Sequence, residues 1–106
     1  IAYQDELSSL GIAVGANEAV VWRRTGGKQQ RRAAIAIKPS RPTVFVRIVA
    51  RGHSARLGVS LDGRRWRNVG AAQDRGFMRS FRIGLSAGGA PRATGRFESF
   101  SYTPAP

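Results

Sequence analysis

The sequence predicts an all-β domain folded as an antiparallel β-sandwich. Apolar residues alternate with polar ones at a period of two in several separate runs, the pattern of strands with one face buried. Turn-forming residues interrupt those runs at spacings of about 8–12 residues, as a sandwich requires. No stretch carries the three-to-four spacing of an amphipathic helix of three turns.

The elements follow in order. Residues 11–14 and 19–24 read as the first two strands, and Thr25-Gly26-Gly27-Lys28 as the turn leading to a third over 32–37. Lys38-Pro39-Ser40-Arg41-Pro42 cannot continue a ladder, because proline has no N–H to donate. The clearest strand is 43–50, with Val44, Val46, Ile48 and Ala50 on one face and Phe45, Arg47, Val49 and Arg51 on the other. Leu57, Val59 and Leu61 continue the alternation to Asp62-Gly63, which reads as a type I′ hairpin turn. Residues 71–76 have the composition of a short helical turn. Phe81, Ile83 and Leu85 mark a later strand, 87–91 a glycine-rich loop, and 96–102 the last strand.

A chain of 106 residues holds one domain, taken as 1–106. Its hydrophobic fraction of 42% is that of a globular protein. The charge is unusual: 18 Lys+Arg against 6 Asp+Glu give a net +12. Such a field attracts nucleic acid, acidic polysaccharide or other anionic surfaces. All but Lys28 and Lys38 of those cations are Arg, so a GC-rich coding sequence accounts for the excess equally well. Cysteine is absent, which removes disulfides, thiol nucleophiles and thiolate metal sites. No apolar run approaches the roughly 20 residues of a membrane-spanning helix. Starting at Ile1, without an n-region and apolar h-region, the chain reads as a processed product or a fragment.

Catalytic chemistry finds little material. His53 is the sole histidine and lies in Arg51-Gly52-His53-Ser54, a loop between strands, where a solvated side chain is the plainer reading. The acids Asp5, Glu6, Glu18, Asp62, Asp74 and Glu98 form no pair spaced for glycoside hydrolysis. Thr25-Gly26-Gly27-Lys28 lacks the spacing of a phosphate loop. The sequence therefore predicts no catalytic residues, no metal ligands and no cofactor. Recognition chemistry is richer. Arg47 and Arg51 share a strand face, Arg82 points away from the Phe81/Ile83/Leu85 core, and Arg64, Arg65 and Arg67 surround Trp66. Arginine beside an aromatic ring can hold phosphates, sulfates or carboxylates, or stack on a base. Trp22 and Trp66 are candidate sugar-stacking platforms, although Trp22 shares parity with Val20 and so could equally be buried. The candidate ligand-binding set is Trp22, Arg47, Arg51, Arg64, Trp66 and Arg82.

One group of motifs resembles a known family. Val59-Ser60-Leu61-Asp62-Gly63-Arg64-Arg65-Trp66 resembles the S-x-D-G hairpin with a following Trp of concanavalin-A-like accessory domains. Such domains close many family-43 glycoside hydrolases and occur in bacterial secreted proteins. Ile83-Gly84-Leu85-Ser86-Ala87 is similar to the family's later V-G-L-x-A strand, and Gly95-Arg96-Phe97-Glu98-Ser99-Phe100-Ser101-Tyr102 to its closing A-x-F-D-x-F-x-Y strand. Upstream, Leu10-Gly11-Ile12-Ala13-Val14 and Val20-Val21-Trp22 are similar to the A-G-L-x-V strand and the strand after it. Glu98 stands where the family has Asp.

The resemblance spans most of the chain and implies a concanavalin-A-like jelly roll. A full sandwich of that type runs to roughly 200 residues, so the chain is expected to be its incomplete C-terminal part, completed by a missing N-terminal half, a partner chain or a homodimer. The function implied is a non-catalytic accessory or carbohydrate-binding module of a carbohydrate-active or secreted protein, extracellular by that resemblance, while the absence of cysteine leaves a cytoplasmic location equally open. An arginine-rich module for acidic polysaccharide or nucleic acid is the alternative from composition, and a fragment of a glycoside hydrolase the third.

Overall fold

The computed structural model describes residues 1–41, 43–76, 78, 82–85, 96–97 and 99–101. Among these there are nine strands and no helix. They are β1 (Ala2–Asp5), β2 (Ser8–Val14), β3 (Glu18–Thr25), β4 (Lys28–Ala36), β5 (Phe45–Arg51), β6 (Ser54–Ser60), β7 (Arg67–Asn68), β8 (Gln73–Asp74) and β9 (Arg82–Ile83). Two antiparallel sheets result. The first has the order β4-β3-β2-β1-β9 and the second the order β5-β6-β7, with β8 also paired to β6.

The first sheet is a meander closed by short turns. Thr25 pairs with Lys28, and the intervening Gly26 and Gly27 both have positive φ, 59° and 81°. Type I′ hairpins demand that geometry, and two glycines supply it without strain. Further along the same pair the register slips by one. Val21 faces Ala33 while Trp22 faces Arg31, so Arg32 is bulged out of the ladder. Its Nε–H reaches Gln73 Oε1 of the second sheet at 3.3 Å.

Both sheets contribute to one core. Ala2, Leu10, Ala19 and Val21 come from the first, Ala55, Leu57 and Val59 from the second, and Ile37, Val69 and Met78 from the connections. Ile12, Ala33, Ile35, Val44, Ile48, Ala50 and Leu61 pack around them half-buried. Burial of this apolar surface, at roughly 25 cal/mol per Å2, drives the two sheets together.

Several expectations are corrected. The strand expected from residue 43 starts at Phe45, and Val46, which shares a face with the half-buried Ile48 and Ala50, is 44% exposed. Among the described residues β5 pairs only with β6, and an edge strand buries less than a central one. Residues 73–74, expected in a helical turn, form β8 because they pair with Ser54 and Ala55 of β6. β7 and β8 lie end to end on that edge. Two extra residues separate their registers, and Gly70, at φ 73°, turns the chain between them. Asp62-Gly63 is not a type I′ turn: only Gly63 has positive φ, and β6 reaches β7 through a loop over 61–66. The positions described within 96–102, namely 96–97 and 99–101, are not strand, and Phe97 and Phe100 are exposed. The expected loop 87–91, Phe81, Glu98 and Tyr102 lie outside the described residues.

Candidate functional site

The second sheet has an outer face, turned away from the core, on which charge and aromatic surface meet. Cross-strand pairs set Phe45 opposite Ser60, Arg47 opposite Gly58, Val49 opposite Arg56 and Arg51 opposite Ser54. Because Ala55, Leu57 and Val59 point into the core, these alternate pairs must point outward. The face therefore presents Arg47, Arg51 and Arg56, all exposed. Phe45 and Val49 lie among them with 39% and 40% of their surface in solvent.

Gly58 is what allows Arg47 to cross this face. A Cβ on Gly58 would stand 3.1 Å from the Arg67 carbonyl oxygen and 3.7 Å from Arg47 Nε. With only hydrogen there, the Arg47 side chain extends across β6 and places its guanidinium carbon 4.3 Å from the centroid of the Trp66 ring. That is a cation–π contact, contributing about 0.5–1 kcal/mol at a partly exposed site. It also removes rotamer freedom from Arg47 before any ligand arrives. Trp66 is half-buried.

The loop before Trp66 is ordered by two side chains. Ser60, buried, accepts N–H groups from Asp62 at 3.3 Å and Gly63 at 2.8 Å and donates its hydroxyl to Asp62 Oδ1 at 3.0 Å. Asp62 Oδ1 also accepts the N–H groups of Arg64 and Arg65, both at 2.8 Å. Those bonds, from Arg65 first, then Arg64 and Ser60, hold the carboxyl at about 2, below its ordinary 3.8. Phe45 covers the same turn, its ring 3.3–3.5 Å from where a Gly63 Cβ would be.

Of the expected set the structure joins Arg47 to Trp66 and keeps Arg51 on the same strand face as Arg47. Arg64 is exposed on the adjoining loop. Trp22 belongs elsewhere. It stands on the outer face of the first sheet opposite Gly11, whose missing side chain leaves room for the indole: a Cβ there would fall 2.5 Å from Trp22 Cζ2. Arg82 lies in β9, where it pairs with Tyr3 of that same first sheet. Arg56 was missed by reasoning from sequence, although its position between Ala55 and Leu57 in an alternating run carries the signal. His53 is exposed in the β5–β6 turn. Among the described residues the one ion pair joins Arg31 to Glu18 at 2.8 Å, on the other sheet. Asp74, opposite Ser54 at one end of the arginine face, spends Oδ1 on the N–H of Gly76 at 2.8 Å. Among the described residues no three His, Cys, Asp or Glu side chains gather in one place, and no helix is long and apolar enough to cross a membrane.

No family model matches the chain, and no curated protein or solved structure matches it either.

Proposed function

We propose that the chain is a non-catalytic binding module that holds an acidic polysaccharide on the outer face of its second sheet. In this reading it forms part of a concanavalin-A-like jelly roll and serves a carbohydrate-active protein outside the cell. The observation that carries the binding role is Arg47 fixed on Trp66 at 4.3 Å, on the same face as Arg51 and Arg56. Four residues of extended chain place Arg47 and Arg51 about 13 Å apart, a span suited to successive charges along a polymer. The accessory role draws its support from the two antiparallel sheets, with no helix among the described residues, and from the motif likeness of the Ser60–Trp66 loop.

Polysaccharide is favoured over single-stranded nucleic acid by the state of the indole. A base-stacking platform presents an open aromatic face, whereas Trp66 is half-buried and already carries a guanidinium. The groups left for contact are arginine donors, which match carboxylates and sulfates.

Heparin chromatography in a salt gradient tests the reading. The chain is expected to elute well above physiological salt, and the triple variant Arg47→Ala, Arg51→Ala, Arg56→Ala to elute much earlier. The slope of log K against log salt should fall by roughly one for each guanidinium removed. Elution near physiological salt, or a triple variant indistinguishable from the parent, overturns the proposal. Competition by an acidic glycan but not by a single-stranded oligonucleotide of equal charge separates the two polymers.

A further inference from the structure

The edges of the two sheets are not alike. Among the described residues β4, β9 and β5 each pair on one side only, and β7 and β8 share the remaining edge. An unpaired edge offers N–H and C=O groups to any extended chain, and proteins protect such edges by shortness, bulges or charge. β7, β8 and β9 are two residues each. β4 runs nine residues but carries the bulge at Arg32 and the cations Lys28, Arg31 and Arg32. β5 runs seven residues, holds an unbroken register with β6 from Phe45 to Arg51, and contains neither proline nor lysine. Its two charges lie on the outer face, and Arg47 is drawn away from the open edge, over β6, to Trp66. The row on the core side, Val46, Ile48 and Ala50, is wholly apolar.

The backbone of that apolar row points out of the edge. Leu57, opposite Ile48, gives its carbonyl to the Val69 N–H at 2.8 Å, on the far side of β6. In an antiparallel ladder hydrogen-bonded and non-hydrogen-bonded pairs alternate, so Leu57 and Ile48 form a non-bonded pair. Ile48, and with it Val46 and Ala50, therefore directs its N–H and C=O away from β6. We infer that β5 is a homodimer interface, pairing with β5 of a second copy, antiparallel, about a two-fold axis through Ile48.

Charge selects both the partner and the register. With Ile48 against itself all seven residues are paired. Val46 then faces Ala50, Arg47 faces Val49 and Phe45 faces Arg51 of the second copy. No arginine meets another, and the Phe45 ring stands beside a guanidinium. Centring the pair on Arg47 would set Arg47 against itself, and centring it on Val49 would set Arg47 against Arg51 twice. Like charges directly opposite are destabilising. Registers centred further out pair about three residues of the strand or fewer. The segment Phe45–Arg51 is thus its own complement, as an isologous two-fold contact requires.

Exposure points the same way. Phe45, Val46 and Val49 leave 39%, 44% and 40% of their surface in solvent on this one strand. Val46 against Ala50 of the second copy would continue the apolar layer across the axis. The two outer faces would fall on the same side of the joined sheet, so the arginine rows of both copies would make one surface.

Sedimentation equilibrium over about 5–500 μM chain, at about 0.3 M salt to screen the repulsion between two basic bodies, tests this. A monomer–dimer equilibrium is expected, with a dissociation constant on the order of micromolar. Val49→Lys places a cation opposite Arg47 at two symmetric positions and should weaken the dimer about tenfold. Val49→Glu should tighten it. Ala16→Lys and Ala16→Glu, the same charge changes in an exposed turn of the other sheet, should each have a much smaller effect. Amide exchange reads the ladder in the unaltered chain: the N–H groups of Val46, Ile48 and Ala50 should slow as concentration rises, while those of Arg47 and Val49 stay slow throughout. A monomer at every concentration overturns the inference, as does a dimer that Val49→Glu weakens. Protection of Val46, Ile48 and Ala50 that is independent of concentration also overturns it, because the edge would then be covered from within the chain.

Discussion

The Asp62 carboxyl is exposed, yet the N–H groups of Arg65 and Arg64 and the Ser60 hydroxyl hold it at about 2. Unfolding releases those donors and returns the group to its ordinary value of 3.8. The folded state is thus favoured above that value, and the advantage disappears as pH falls through about 2. Asp5, lowered by hydrogen bonds from the Gln4 side chain and the Leu7 N–H, acts in the same direction. Thermal unfolding followed from pH 5 to pH 2 should show a falling midpoint, with a shallower decline in Asp62→Asn. A second residue-scale test concerns Gly11. Its Cβ would fall 2.5 Å from the Trp22 ring, so Gly11→Ala must displace the indole. Overpacking of this kind destabilises by about 1–3 kcal/mol, read by denaturant unfolding, and the tryptophan emission should shift with it.

At the scale of elements, the segment carrying β7 and β8 ties the sheets together. Gly70 turns at φ 73° between the two short strands, and a Cβ there would run into the Cβ of Ala33 on β4. Both backbone and space therefore oppose a side chain. Gly70→Ala is expected to cost about 1–3 kcal/mol and to speed amide exchange selectively at Val69, whose N–H bonds the Leu57 carbonyl at 2.8 Å. Exchange rates unchanged at Val69 would show that the crossing is not tight. The strands 19–24 and 57–61 could be read from alternation because Ala19 and Val21 in one, and Leu57 and Val59 in the other, put every second side chain into the core. β8 could not, since two residues carry no period and only β6 makes them a strand.

For the molecule as a whole, the charge of +12 acts in two opposite ways. Self-repulsion opposes the compact state, so raising ionic strength from about 0.01 to 0.3 M, which shortens the Debye length from about 30 Å to under 10 Å, should raise the melting temperature. The same screening should weaken polyanion binding. Calorimetry and heparin retention measured over one salt series would therefore move in contrary directions. A melting temperature that falls with salt would mean that attractive pairs, such as Arg31 with Glu18, outweigh the repulsion.

Composition and alternation by themselves determined the all-β class, the basic character and the pairing of Arg47 with Arg51 on one strand face, because a strand's period of two is a local property. The tertiary structure decided which arginines work together. It set Arg56 beside Val49, left Gly58 bare for Arg47 to reach Trp66, and assigned Trp22 and Arg82 to the other sheet. Those relations depend on register between strands distant in sequence, and no local period encodes register.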